Sequence, residues 1–197
     1  MGLLSSSVSI TQYKVEGKLE QPVLETVSKG LKKNVIQEID DDVSDKAIGW
    51  TSFDSPFKPD FEGSSFSVGT YLVFSMRIDK KSIPAKVLNK YYTLEAQNLL
   101  SESGRNYLNR NEKSMIKDRV YTQLLKRYPA TPSIYDLIWE YEAETMLFFS
   151  NQKGANEELE TLFSKSFNLG LIRIFPFTAA DLNMRLAEKE RDLLIKL

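Results

Sequence analysis

The 197-residue chain contains no cysteine and no histidine. Without thiols there are no disulfides, no thiolate nucleophiles and no thiolate metal ligands. Without imidazole, every triad that uses histidine as its base is excluded. Any metal would have to be a hard cation held by carboxylates. The nine glycines are scattered and form no phosphate-cradling or dinucleotide pattern. No run approaches the ~18 apolar residues needed to cross a bilayer. Met1-Gly2-Leu3-Leu4-Ser5-Ser6-Ser7 lacks the cationic start and long apolar stretch of a secretory signal. These absences predict a cytoplasmic protein with no cofactor, no metal, no small-molecule substrate and no membrane partner.

What is present is ordinary in bulk and polarised in detail. With 42% hydrophobic and 27% charged residues the composition is that of a globular protein with one core, or a core and a small appendage. Between Arg77 and Arg127, however, twelve Lys/Arg face five Asp/Glu, a local excess of seven positive charges. The rest of the chain holds 14 basic and 22 acidic residues, a balance of −8. Such a field can hold a polyanion on one part of the molecule while the remainder repels it. The alternative reading is that long solvated helices collect lysine and arginine.

Periodicity predicts the elements. Val8, Ile10, Tyr13 and Val15 alternate with polar residues as in a half-buried strand, with a bulge near Thr11-Gln12. Pro22 suits the start of a helix, and Leu24, Val27, Leu31 and Val35 follow on one face. Strands are expected over 47–53 and 66–78, with Asp40-Asp41-Asp42 as a loop. Pro84 opens a helix running to about Ser103, where Gly104 stops it. Asn109 caps the next helix, with Glu112 placed to reach back. Residues 134–141 and 145–150 form a hairpin, 156–167 a helix and 171–177 a strand. Thr178 and Asp181 cap a last helix carrying Leu182, Leu186, Leu193 and Leu197. The order βαββ, helical hairpin, ββαβ, C-terminal helix predicts an α+β core: a mostly antiparallel sheet with helices on one face. Residues 1–80 and 128–180 would form that core, 81–127 an inserted basic helical hairpin, and 181–197 the terminal helix.

The candidate polyanion contacts are Lys86, Lys90, Arg105, Arg110, Lys113, Lys117, Arg119, Lys126 and Arg127. Lysine and arginine neutralise phosphates and release condensed counterions, an attraction indifferent to base sequence. Lys86 and Lys90 are one helical turn apart, and Lys113 and Lys117 repeat that spacing. Lys113 and Lys117 lie near the apolar edge of Ile116, Val120 and Leu124, so packing is their competing role. Trp50 and Trp139 stand in apolar, strand-like contexts that favour the core over base stacking, which leaves Tyr107 and Tyr128 as the aromatic candidates. Asp40-Asp41-Asp42 with Asp45 offers carboxylates to Mg²⁺, but a two-metal nuclease needs carboxylates converging from separate elements.

Several of these residues together resemble one known family. They are Gly49-Trp50, Ile83-Pro84, Gly104-Arg105, Glu112-Lys113, Lys117-Asp118, Val120, Leu124-Leu125, Arg127, the strand containing Asp136, and Phe175-Pro176. The set is similar to the N-terminal portion of the RdgC family of recombination-associated nucleoid DNA-binding proteins, over roughly residues 8 to 190. The resemblance implies a non-enzymatic protein that binds double-stranded DNA with little sequence preference. It implies a homodimeric ring around the duplex, protomers meeting through the helical hairpin, and competition with RecA-type recombinases for DNA. The exonuclease label sometimes attached to the family finds no catalytic motif here. Family members usually continue into a second, C-terminal domain, so the expectation for this chain is a short form. After Leu125 the chain reads Lys126-Arg127-Tyr128-Pro129-Ala130. The family tends to place proline before the arginine, so its contact details at the lobe tip do not transfer. Two other functions stay open: a protein–protein module that has no grip on DNA, and a metal-dependent nuclease.

Overall fold

The computed structural model describes residues 2–175, 178 and 179. In chain order the elements are β1 (Thr11–Glu16), α1 (Val23–Lys33), β2 (Lys46–Thr51), β3 (Ser67–Val68), β4 (Tyr71–Lys80), α2 (Ala85–Ser103), α3 (Arg110–Leu125), β5 (Thr131–Glu140), β6 (Thr145–Phe148), α4 (Lys153–Phe167) and β7 (Gly170–Arg173). The sheet order is β2-β4-β5-β6-β1-β7, with β3 paired to β4. Among the described residues, the four named helices and an antiparallel sheet give the α+β class, as expected. Contacts divide it into two compact units: Met1–Ile36, Gly49–Arg77 and Ile134–Leu197 form the first, and Gln37–Ile48 with Ile78–Ser133 the second.

In the first unit, strand alternation decides which sheet face is covered. Tyr13 and Val15 of β1, Leu72, Phe74 and Met76 of β4, Leu137 and Trp139 of β5, and Met146 and Phe148 of β6 are all buried. They share the face under Val27 and Leu31 of α1 and Leu159, Phe163 and Phe167 of α4. Phe167 joins the layers: its ring lies 6.0 Å from Trp50 and 5.4 Å from Trp139. Burying each such aromatic contributes about 2–3 kcal/mol. The Trp50 indole N–H donates to Ser166 Oγ at 2.7 Å. Both tryptophans are therefore core residues.

Gly49 has a structural reason. Trp50 bridges Val35 in parallel, and the Ile36 N–H donates to the Trp50 carbonyl at 3.0 Å. A Cβ on Gly49 would stand 2.5 Å from the Ile36 Cα, so only glycine lets the chains approach.

Several boundaries differ from the expectation. β1 begins at Thr11, leaving Val8 and Ile10 exposed. Val35 lies beyond α1, in the bridge to Trp50, and Leu24 faces solvent. Pro22 is the N-cap rather than the first helical residue. The long strand over 66–78 is broken: Val68 pairs with Tyr71 across Gly69-Thr70, and Gly69 has φ 62°. That tight turn needs a residue tolerant of positive φ. α4 starts at Lys153, because Asn156 sits inside it and its amide donates to the Ser150 and Gln152 carbonyls. β7 stops at Arg173, where the Thr178 hydroxyl donates to the Arg173 carbonyl at 3.0 Å. The predicted helix over 181–197 lies outside the described residues.

The second unit contains the helical hairpin. Leu108, Ile116, Val120 and Leu124 are buried against Val87, Leu88, Tyr91, Tyr92 and Leu99 of α2. Both predicted punctuation signals hold. α2 stops at Gly104, at φ 63°, and the Asn109 cap is complete. The Glu112 N–H donates to Asn109 Oδ1 at 2.8 Å, and the Asn109 N–H to Glu112 Oε2 at 2.9 Å. Asn109→Ala should lower stability by about 1 kcal/mol, read as a shifted urea midpoint by circular dichroism. The Asn109 N–H, then the Arg105 guanidinium, hold the Glu112 carboxyl below the usual glutamate range. Its contribution is complete above that range and is lost as pH falls through the lowered value.

Candidate nucleic-acid interface

The hairpin over residues 85–127 carries nine Lys/Arg and four acidic residues. These nine are the predicted contact residues, and all nine are exposed. A charged side chain stays in water unless paired, so the two amphipathic helices turn their apolar stripes toward each other and leave the cations outside.

The cations do not form a single stripe. α2 faces α3 through Leu88, Tyr92 and Leu99, and at about 100° per residue Lys86 and Lys90 fall on the opposite side, in line with Thr93 and Gln97. Lys90 also lies over the Tyr91 ring, 5.7 Å from its centroid. On α3, Arg110, Lys113 and Lys117 fall within about 60° of one another beside the buried stripe. Arg119 and Lys126 fall on the other flank, about 160° away. Lys113 and Lys117, although bordering Ile116 and Val120, are not absorbed into packing. Arg105 is the one candidate in an ion pair among the described residues: its Nη2 is 2.8 Å from Glu112 Oε1, and its Nε donates to Ser103 Oγ at 3.2 Å. An exposed pair of this kind adds little stability, but it leaves Arg105 with less net charge to offer a phosphate. Arg127 follows α3, where its N–H donates to the Leu124 carbonyl.

Two cations of the basic stretch point inward, which sequence reading did not anticipate. Arg77 is buried, its guanidinium 4.9 Å from the centre of the Phe57 ring. Lys81 is only 3% exposed, and its ammonium donates to the carbonyls of Asp40, Asp42 and Leu125 at 2.9, 2.8 and 2.7 Å. No local pattern marks Lys81, because those carbonyls belong to residues about forty positions away. Lys80, by contrast, is exposed at the end of β4. Of the aromatic candidates, Tyr107 is 77% exposed, whereas Tyr128 packs on the hairpin core.

The acidic loop is engaged in its own folding. Asp40 Oδ1 accepts from the Ala130 N–H at 2.8 Å. Asp42 accepts from the Val43 N–H and the Ser44 hydroxyl, which hold its carboxyl below the usual range. Among the described residues no three carboxylates come together as a metal-holding group, and no helix is long and apolar enough to cross a membrane.

The geometry is thus a two-helix lobe with solvated cations on several sides. No curated protein matches the sequence. The model of the family described as "Putative exonuclease, RdgC" matches residues 9–187, most of the chain. The chain belongs to the RdgC family.

Proposed function

We propose that this protein binds double-stranded DNA without sequence preference and acts by occupying it, with no catalytic step of its own. On this reading it works in the cytoplasm on nucleoid DNA and limits the access of a RecA-type recombinase to the same duplex. The observation that carries the proposal is the hairpin: nine exposed cations against four acids, only Arg105 among them in an ion pair with a described residue. Membership of the RdgC family supports a DNA-related role. Because the cations lie on different sides, one duplex would engage either Lys86 and Lys90 or the flank of Arg110, Lys113 and Lys117, not all nine.

The same lobe supports homodimerisation. α2 has 19 residues and none is buried, although Leu108 and α3 pack on its apolar side. Leu94, Met115 and Tyr121 are exposed large apolar residues on the two helices. A second hairpin laid against them would complete the burial. This favours the second reading, a protein–protein module, to the same degree. Fluorescence anisotropy with a random-sequence duplex, run beside sedimentation of the free protein, separates the two. Binding at low salt supports the DNA reading. A stable dimer with no detectable binding at low salt would select the interaction module. Shortened DNA products that disappear on adding a chelator would show a metal-dependent nuclease instead.

A further inference from the structure

One buried donor in the core of the first unit is left without an acceptor. The Trp50 indole N–H donates to Ser166 Oγ, and the Tyr13 hydroxyl donates to Asn156 Oδ1. Trp139 is only 1% exposed, yet its indole N–H has no hydrogen-bond partner among the described residues. A buried indole normally finds an acceptor, because an orphaned donor has given up its water for nothing. Trp139 forms part of the wall of a cleft of 200 Å³, between the turn that follows β5 and the loop that joins β1 to α1. Val15, Leu19 and Leu169 give the cleft an apolar bed. Lys18, Gln21 and Glu144 line it too, all three exposed and, among the described residues, with no side-chain hydrogen bond or ion pair. The backbone of Glu144 is anchored there: its carbonyl accepts from the Val15 N–H at 2.7 Å, and its φ of 53° lies in the left-handed region that few residues with a side chain adopt.

We propose that this cleft binds a free α-amino acid with an aliphatic side chain, with the ligand's carboxylate accepting from the Trp139 indole N–H. The chemistry of the wall selects that class. The indole is a donor only, so the ligand must bring an acceptor. Lys18 and the Gln21 amide favour an ionised acceptor, since hydrogen bonds to a carboxylate are the stronger ones. Glu144 is a second, opposite charge in the same wall, so a plain anion is disfavoured and a cation is needed on the same molecule. An α-ammonium beside the carboxylate supplies it, and the side chain lies on Val15, Leu19 and Leu169. The size agrees. An apolar cavity of about 150 Å³ admits benzene, so 200 Å³ suits a molecule of the bulk of leucine. One water, with its ~30 Å³ share of liquid volume, would meet the indole N–H and leave the apolar bed unfilled. Every residue of the cleft belongs to the first unit, so the site is separate from the hairpin's cations and does not depend on the DNA reading.

The chain has two tryptophans, so nuclear magnetic resonance of the isotope-labelled full chain shows two indole N–H signals. Trp139→Phe identifies one of them by its loss. Titration with L-leucine should move the Trp139 signal downfield in a saturable way and leave that of Trp50, already bonded to Ser166, in place. Isocaproate lacks the ammonium and isoamylamine lacks the carboxylate, and each should bind about tenfold more weakly than leucine. Lys18→Met and Glu144→Gln alter exposed side chains and leave the core intact. Lys18→Met should weaken leucine binding several-fold, and Glu144→Gln should erase the preference for leucine over isocaproate. No saturable shift with any of the three compounds would assign the indole N–H to a bound water and overturn the proposal. Equal affinity for leucine and isocaproate in the unaltered chain would also overturn it, as would a preference that survives Glu144→Gln.

Discussion

The affinity for a random-sequence duplex should fall about 40-fold as monovalent salt rises from ~50 to ~200 mM. That figure follows from three phosphates neutralised by one flank of the hairpin, at a slope of about −0.9 per contact over a fourfold change in salt. Arg110, Lys113 and Lys117 form such a flank, all exposed and, among the described residues, free of ion pairs. Reversing all three to glutamate should lower low-salt affinity by well over tenfold and flatten the salt slope toward zero, equally for every duplex sequence. Reversing Lys86 and Lys90 tests the other side of the lobe, and whichever set produces the larger loss faces the DNA. Arg105→Ala should matter little, since Glu112 already opposes its charge at 2.8 Å. A slope near zero in the unmodified protein, or affinities unchanged by both reversals, would remove the hairpin from any role in DNA binding.

Replacing Lys81 with methionine should destabilise the protein by about 3 kcal/mol, read from the urea midpoint. All three ammonium protons are committed, to the carbonyls of Asp40, Asp42 and Leu125. Leu125 is the last residue of α3, so the charge also sits at the negative end of a helix dipole. Methionine keeps the length of the stem and removes the donors, leaving carbonyls without partners beneath an acidic loop. The loop should then loosen first, seen as faster amide exchange over residues 39–45 before any change in α2. A shift below about 0.5 kcal/mol would mean that water replaces the ammonium without cost, and that the lysine is merely covered.

These two lysine-rich sites show what reading the chain could reach. Lys86 and Lys90 were assignable to a solvent stripe because their neighbours at one-turn spacing, Thr93 and Gln97, are polar and the seam of Leu88, Tyr92 and Leu99 is apolar. Lys81 carries no such mark. Its sequence neighbours, Lys80 and Ser82, are exposed, and its partners come from α3 and from the loop after α1. The count of positive charge between Arg77 and Arg127 therefore included two side chains that lie inside the protein.

The amino-acid sequence alone determined whatever is decided within a few residues. Histidine and thiol chemistry is absent. The turn of the hairpin falls where Gly104 and the Asn109–Glu112 box say it should. The alternation of strands and amphipathic helices sets the α+β class. Only the tertiary structure decided where β1 goes: it lies between β6 and β7, Tyr13 opposite both Met146 and Arg173. It also decided that the Tyr13 hydroxyl donates to Asn156 while the Arg173 Nε donates to Glu160, and that Asp136 accepts from Ser75 and from the Leu3 N–H. The physical reason is the reach of the signal. Caps, turns and periodicity act over one to four residues and are written in the order of the chain. Burying a polar group requires partners that only the closed sheet brings within about 3 Å.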